Sequence, residues 1–170
     1  MKIVETARLL IREIDSATDA EFIFNLLNSP NFIKYIGDRG VRSVGEARDF
    51  METRYLRSYS DHGYGLYTVE LKDGGTRVGI CGFVRRETLP GPDIGFAFLP
   101  EHEAKGYGYE SASAMMEYGS SVLGFDRVLA ITSPDNFVSG RLLEKIGFGF
   151  DSMTLAPDGG ELRLYVWPQG

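Results

Sequence analysis

Gly106 and Gly108 stand one residue apart within EHEAKGYGYESASAMMEYG, the stretch from Glu101 to Gly119, and a helix-like segment follows at once. Glycines let a backbone approach an anion closely, and a helix start carries amide hydrogens without intrahelical partners. The pair therefore fits a phosphate-binding loop. A nucleoside triphosphate loop needs Gly-Lys followed by Ser or Thr, whose hydroxyl holds magnesium. Here Lys105 precedes Gly106 and no such hydroxyl follows. A dinucleotide loop needs a third glycine and an early place in a βαβ unit. Tyr109-Glu110-Ser111 supplies no glycine, and four strand-like segments come before it. A third kind of phosphate loop has to be judged from the elements around it.

Those elements are readable from hydrophobic period and turn chemistry. Leu9 to Ile14 reads as a strand, and Thr18-Asp19-Ala20-Glu21 as a capping box opening a helix with Phe22, Ile23, Leu26 and Leu27 on one face. Pro30 should close that helix. Ser43-Val44-Gly45-Glu46 is a second capping box, with Ala47, Phe50, Met51 and Tyr55 as the buried face behind it. Leu66 to Lys72 and Thr76 to Arg86 form a hairpin around Asp73-Gly74-Gly75, and Asp93 to Leu99 is the next strand. After the glycine loop comes a helix with Ala112, Met115, Met116 and Gly119 on one side, then a strand from Arg127 to Thr132. A short helix with Leu142, Leu143 and Ile146 ends at Gly147. Phe148 to Met153 and Leu162 to Trp167 are two final strands. The order predicts a mixed α/β domain.

The chain has 170 residues, 43% of them hydrophobic, and a formal net charge of −6. That is the size of one domain, 1–170, with a core large enough to hold it together. The acidic balance argues against nucleic acid as a partner, since such binding needs a basic stripe. No apolar run suits a membrane span, and the N-terminus lacks a signal-peptide core, so the expectation is a cytoplasmic protein. Cys81 is the single cysteine and sits in the apolar VGICGFV, where a small buried filler is expected. His62 and His102 match no ligand spacing, so no metal site is expected.

The order of elements, together with TARLLIREI, DIGFAFLPE, KGYGYESA and SPDNFVSGRLLEKIGF, resembles the GNAT superfamily of acyl-CoA-dependent N-acetyltransferases, and within it the RimJ/RimL-type branch. The similarity covers nearly the whole chain, and the last motif is the most specific. The resemblance implies a central, mixed and twisted sheet of about seven strands, helices on both faces, and a fourth and fifth strand that splay apart around the arm of CoA. It implies that the amides of Ala104, Lys105, Gly106, Tyr107, Gly108 and Tyr109 cradle the pyrophosphate. Phe96, Ala97 and Phe98 would pair their main chain with the pantetheine arm as a strand pairs with a sheet edge, and Asn136 would hydrogen-bond that arm.

The implied reaction is direct attack of a primary amine, on a small molecule or a protein N-terminus, on the thioester of acetyl-CoA. An amide near Phe96 would meet the oxyanion. Asp93, at the start of its strand, is the candidate base, directly or through a water. Ser139 matches the serine that would serve the leaving thiolate where a tyrosine is missing; Leu143 fills that tyrosine's place. Glu103 departs from the pattern, standing where Gln or Arg is usual, and Ala104 stands where glycine is common. A carboxylate beside a diphosphate is unfavourable, so Glu103 either turns outward or weakens the cofactor's hold. The alternative function is a non-catalytic acyl-CoA-binding module of the same fold. Monomer and homodimer are both compatible with the sequence.

Overall fold

The computed structural model describes every residue from Met1 to Gly170. Its centre is one eight-stranded sheet in the order β1-β2-β3-β4-β5-β6-β8-β7. The strands are β1 (Lys2–Glu5), β2 (Leu9–Arg12), β3 (Leu66–Leu71), β4 (Arg77–Arg85), β5 (Pro92–Phe98), β6 (Val128–Thr132), β7 (Gly149–Leu155) and β8 (Glu161–Trp167). The helices are α1 (Ala20–Leu27), α2 (Pro30–Tyr35), α3 (Val44–Phe50), α4 (Arg57–His62), α5 (Tyr107–Ser121) and α6 (Phe137–Lys145). A π-helical segment, Met51–Leu56, joins α3 to α4.

All neighbouring strands run antiparallel except β5 and β6, which are parallel and share a single register pair, Asp93 with Leu129. Beyond that pair the two strands part. β5 is fully matched on its other side, from Pro92 against Arg85 to Phe98 against Gly79. The sheet is thus continuous on either side of one split, and the split opens toward Phe98 and Thr132.

Alternation along the strands builds two apolar layers. Leu9, Ile11, Tyr67, Val69, Phe83 and Ile94 pack with Met115 and Met116 of α5 and Leu143 of α6 on one face. Ile14 and Ile80 pack with Phe22, Ile23, Leu26 and Leu27 of α1, Ala47 of α3, and Met51 and Tyr55 on the other. Each fully buried aliphatic side chain of this kind contributes roughly 1.5–3 kcal/mol. Helices do cover both faces.

Three readings are corrected. The sheet has eight strands, because Lys2–Glu5 pairs with β2; four residues with an irregular register and only partial burial leave little period to detect. Pro30 does not simply end α1 but opens α2 from its first position, where its missing N–H costs nothing. Thr18 does not cap α1: Asp19 occupies the N-cap and its side chain caps nothing. That carboxylate is fully buried and accepts from Arg12 at 2.9 Å, Arg77 Nε at 2.6 Å, Thr68 at 3.0 Å and the Asp15 amide at 2.9 Å. Burial alone would raise its pKa, but the bonds from Arg12, Asp15 and Arg77 outweigh that and hold it down to about 2. The cluster ties α1 to β2, β3 and β4, and breaking it would strand buried charge at a cost of about 3–5 kcal/mol. Half of the Ser43 box forms: the hydroxyl accepts from the Glu46 amide at 3.1 Å, while the Glu46 carboxylate reaches back one residue further, to the Arg42 amide at 3.3 Å.

Candidate functional site

At the open end of the split, the chain leaves β5, makes a 3₁₀ turn at Pro100–His102 and enters α5. Ala104 lies at φ 60° and Gly106 at φ 85°. Two left-handed residues so close together make a tight turn at the entry to α5. The first amide to bond back into α5 is that of Glu110, to the Gly106 carbonyl at 3.0 Å. The amides of Ala104, Lys105, Gly106, Tyr107, Gly108 and Tyr109 have no backbone partner. With the helix dipole behind them, such free amides are able to bind an anion of the size of a diphosphate.

Three residues outside the glycine motif hold this loop, and the sequence offered no reading of them. Arg8 donates to the Lys105 carbonyl at 3.0 Å and through Nε to Glu110 at 2.7 Å, and its guanidinium lies 4.6 Å from the Tyr107 ring centre. Thr6 donates to the other oxygen of Glu110. Burial opposes ionisation of Glu110, yet the bonds from Thr6 and Arg8 keep its pKa below the ordinary carboxylate value. Only TARLL at the chain start hints at this brace, and a contact spanning about a hundred positions has no local signal.

Glu103, the departure from pattern, is exposed and accepts from the Asn31 side chain at 3.1 Å through each oxygen. Its carboxylate is therefore engaged with α2. Lys145 sits 4.4 Å from the Tyr109 ring centre, joining α6 to the same region.

The edge of β5 is the second component. The Leu99 amide donates to Val78 at 2.9 Å, so alternation turns the main chain of Ala97 toward β4 and that of Phe96 and Phe98 toward the split. A side chain added at Gly79 would strike the Ala97 carbonyl, which agrees with that orientation. The free edge is thus offered by Phe96 and Phe98, and Ala97 contributes through its neighbours. Thr132, ending β6 across the split, is buried with its hydroxyl unpartnered.

Asp93 lies where the split closes. It is 1% exposed rather than solvated, and Arg86 Nε donates to both its oxygens at 3.2 Å. Burial raises its pKa to about 6, against the pull of Arg86. A carboxylate with that pKa is ionised at neutral pH yet far more basic than an ordinary one. Asn136 caps α6, its side-chain oxygen accepting from the Ser139 amide at 3.3 Å. That leaves its NH₂ group free to donate. The Ser139 hydroxyl makes no bond within the chain, and Leu143, one turn on, is 1% exposed in the core. Cys81 is fully buried, and burial pushes its thiol up to about 12, so it is no nucleophile.

The profile of the acetyltransferase (GNAT) domain family matches residues 8–149, spanning the Arg8 brace, the split and the loop. The chain belongs to the GNAT acetyltransferase family. Among curated relatives, the uncharacterized N-acetyltransferase YoaA of Bacillus subtilis is 31% identical over 169 residues, covering 99% of this chain and 90% of that one. Among solved structures, the ribosomal L7/L12 alpha-N-protein acetyltransferase RimL in complex with coenzyme A superposes with a TM-score of 0.83 at 15% identity, covering 98% of this chain and 97% of that one. Spermidine N-acetyltransferase from Vibrio cholerae, in complex with CoA and spermine, gives 0.77 at 17% identity over 95% of each chain. This GNAT chain is therefore an acyltransferase. At those identities the two structures share its fold, and their acceptors, a protein and a polyamine, differ.

Proposed function

We propose that this GNAT chain is a single domain, 1–170, that moves the acetyl group of acetyl-CoA to a primary amine on a small molecule or a protein N-terminus. The observation that carries the reading is the run of six unpartnered amides at the start of α5, placed at the open end of an unpaired strand edge. One end takes a diphosphate and the other accepts an amide-bearing arm as an added strand. The residues present fit that molecule: polar groups without partners, including Thr132 Oγ1, lie along the split.

When bound, acetyl-CoA supplies an activated acyl group. The Phe96 amide, fixed on the free edge, donates to oxygen charge that develops there. The Asn136 NH₂ group binds the arm. Asp93 takes the proton from the attacking amine, directly or through a water, its pKa of about 6 poised for that exchange. The Ser139 hydroxyl serves the departing sulfur; a thiol with an ordinary pKa of about 8.5 asks for only a weak donor.

A second reading, an acyl-CoA-binding module without turnover, is favoured by Leu143, whose apolar side chain can donate no proton. Release of free thiol from acetyl-CoA across a panel of amines and peptides, with product masses measured, separates the two. Amine-dependent thiol release with a matching acetylated product is expected. CoA binding with no thiol release on any acceptor would favour the module.

A further inference from the structure

We propose that Arg8, in the turn between β1 and β2, is a positioning residue for the cofactor: it sets the direction of the Gly106 amide and so readies the loop for a diphosphate. The inference rests on the reading of that loop as the CoA site and adds a residue that acts on it from outside.

Little within the loop holds its shape. From Ala104 to Tyr109 no amide has a backbone partner. Gly106 is left-handed and exposed. Glycine takes either sign of φ at little steric cost, so the peptide between Lys105 and Gly106 is free to turn over unless something holds it. The Lys105 carbonyl has one hydrogen-bond partner in the chain, Arg8 Nη1 at 3.0 Å. A trans peptide is planar, with its C=O and N–H directed to opposite sides. Holding the carbonyl toward Arg8 therefore turns the Gly106 N–H away from Arg8, where it has no partner. A side chain on Gly106 would come within 3.1 Å of Arg8 Nη2, so the guanidinium lies close against this peptide.

Arg8 can orient the loop because it is itself tied down. Its amide donates to Glu110 at 2.9 Å, and its carbonyl accepts from the Lys72 amide at 2.9 Å. Its Nε donates to the other Glu110 oxygen at 2.7 Å, and the Tyr107 ring centre lies 4.6 Å from the guanidinium. Thr6 closes the turn: its hydroxyl accepts from the Leu9 amide at 3.0 Å and donates to Glu110. Glu110 belongs to the first turn of α5. The brace thus runs from the sheet through that turn to the loop. The planar fork of arginine sends two donors in set directions, one to a carboxylate and one to a carbonyl. A lysine would cancel the charge of Glu110 but could not hold both acceptors in that geometry. Cancelling charge and directing a peptide are therefore separable roles, and the bond to the Lys105 carbonyl belongs to the second.

The test begins with calorimetric titration of CoA into the wild-type protein, the Gly106 amide being followed by NMR. Binding with a shift of that signal is expected. No binding, or binding without the shift, overturns this inference together with the cofactor site. Arg8→Met keeps an apolar stem against Tyr107 and removes every side-chain donor. It should raise the Kd of CoA and the KM of acetyl-CoA roughly tenfold, with kcat and the KM of the amine within about twofold of wild type, as for loss of one charge-assisted bond to the cofactor. Arg8→Lys should fall between. In the double variant Arg8→Met, Glu110→Gln, the Kd should stay within about threefold of that of Arg8→Met alone. Return to wild-type affinity there would make Arg8 only a counter-charge and overturn the proposal. The residual dipolar coupling of the Gly106 N–H reports the direction of that bond without cofactor. It should change in Arg8→Met while the coupling of Met115, inside α5, does not. An unchanged Gly106 coupling, or wild-type affinity in folded Arg8→Met, overturns the proposal and leaves CoA on the loop intact.

Discussion

Two aspartates buried to nearly the same extent show how neighbours set charge behaviour. Asp19, with two guanidiniums, a hydroxyl and an amide, is held down to about 2. Asp93, with Arg86 alone, is left at about 6 because burial dominates. For Asp93 the folded pKa lies above the ordinary value of 3.8, so the fold favours its protonated form. Its contribution to stability is present at low pH and is lost as pH rises through about 6. In the proposed mechanism the same ionisation makes it the base. The rate of acetyl transfer should therefore rise with pH through a limb near 6, before the amine's own titration. Asp93→Asn should lower kcat by roughly 10² to 10⁴, abolish that limb and leave acetyl-CoA binding unchanged. A loss below about threefold with the limb intact would make Asp93 only the anchor of Arg86. Its place was legible from position on a strand beside a cleft. Its burial and its partner were not, because Arg85 and Arg86 are alike in sequence and only the register of Val84 against Asp93 selects which one turns to it.

At the level of elements, most of the architecture could be read from period and turn chemistry, since amphipathic runs such as α1 and α5 bury one face each and the apolar β3–β4 hairpin is buried on both. What escaped was decided by distant contacts. β1 exists because it pairs with β2, α2 starts where a stop was expected, and α3 passes through a π segment with no local marker. The start of α5 was legible, but the reason for its glycine was only half so. Gly106 needs its φ of 85°, and a side chain there would also come within 3.1 Å of Arg8 Nη2. Gly106→Val should stay folded, with strain of about 1–2 kcal/mol lowering Tm by roughly 2–8 °C. It should lose measurable CoA binding in calorimetry. Wild-type affinity in a folded variant would remove the cofactor site from this loop.

In the whole molecule, one register pair joins two otherwise continuous halves of the sheet, and the helical layers cover opposite faces of that seam. No helix is long and apolar enough to cross a membrane. A ligand lying in the seam would satisfy main-chain groups on β5 and at α5 together, and should stabilise the protein by about 2.7 kcal/mol at a hundred times its Kd. The central claim is that acetyl-CoA lies along the edge of β5 with its diphosphate on the start of α5. Amide hydrogen exchange, followed residue by residue by NMR with and without CoA, tests it most directly. Protection should rise at Phe96, Phe98 and the amides from Gly106 to Tyr109, while Ala97, already bonded to β4, and the outer strand β7 stay unchanged. Saturating CoA that leaves Phe96, Phe98 and the loop amides exchanging as before would contradict the account.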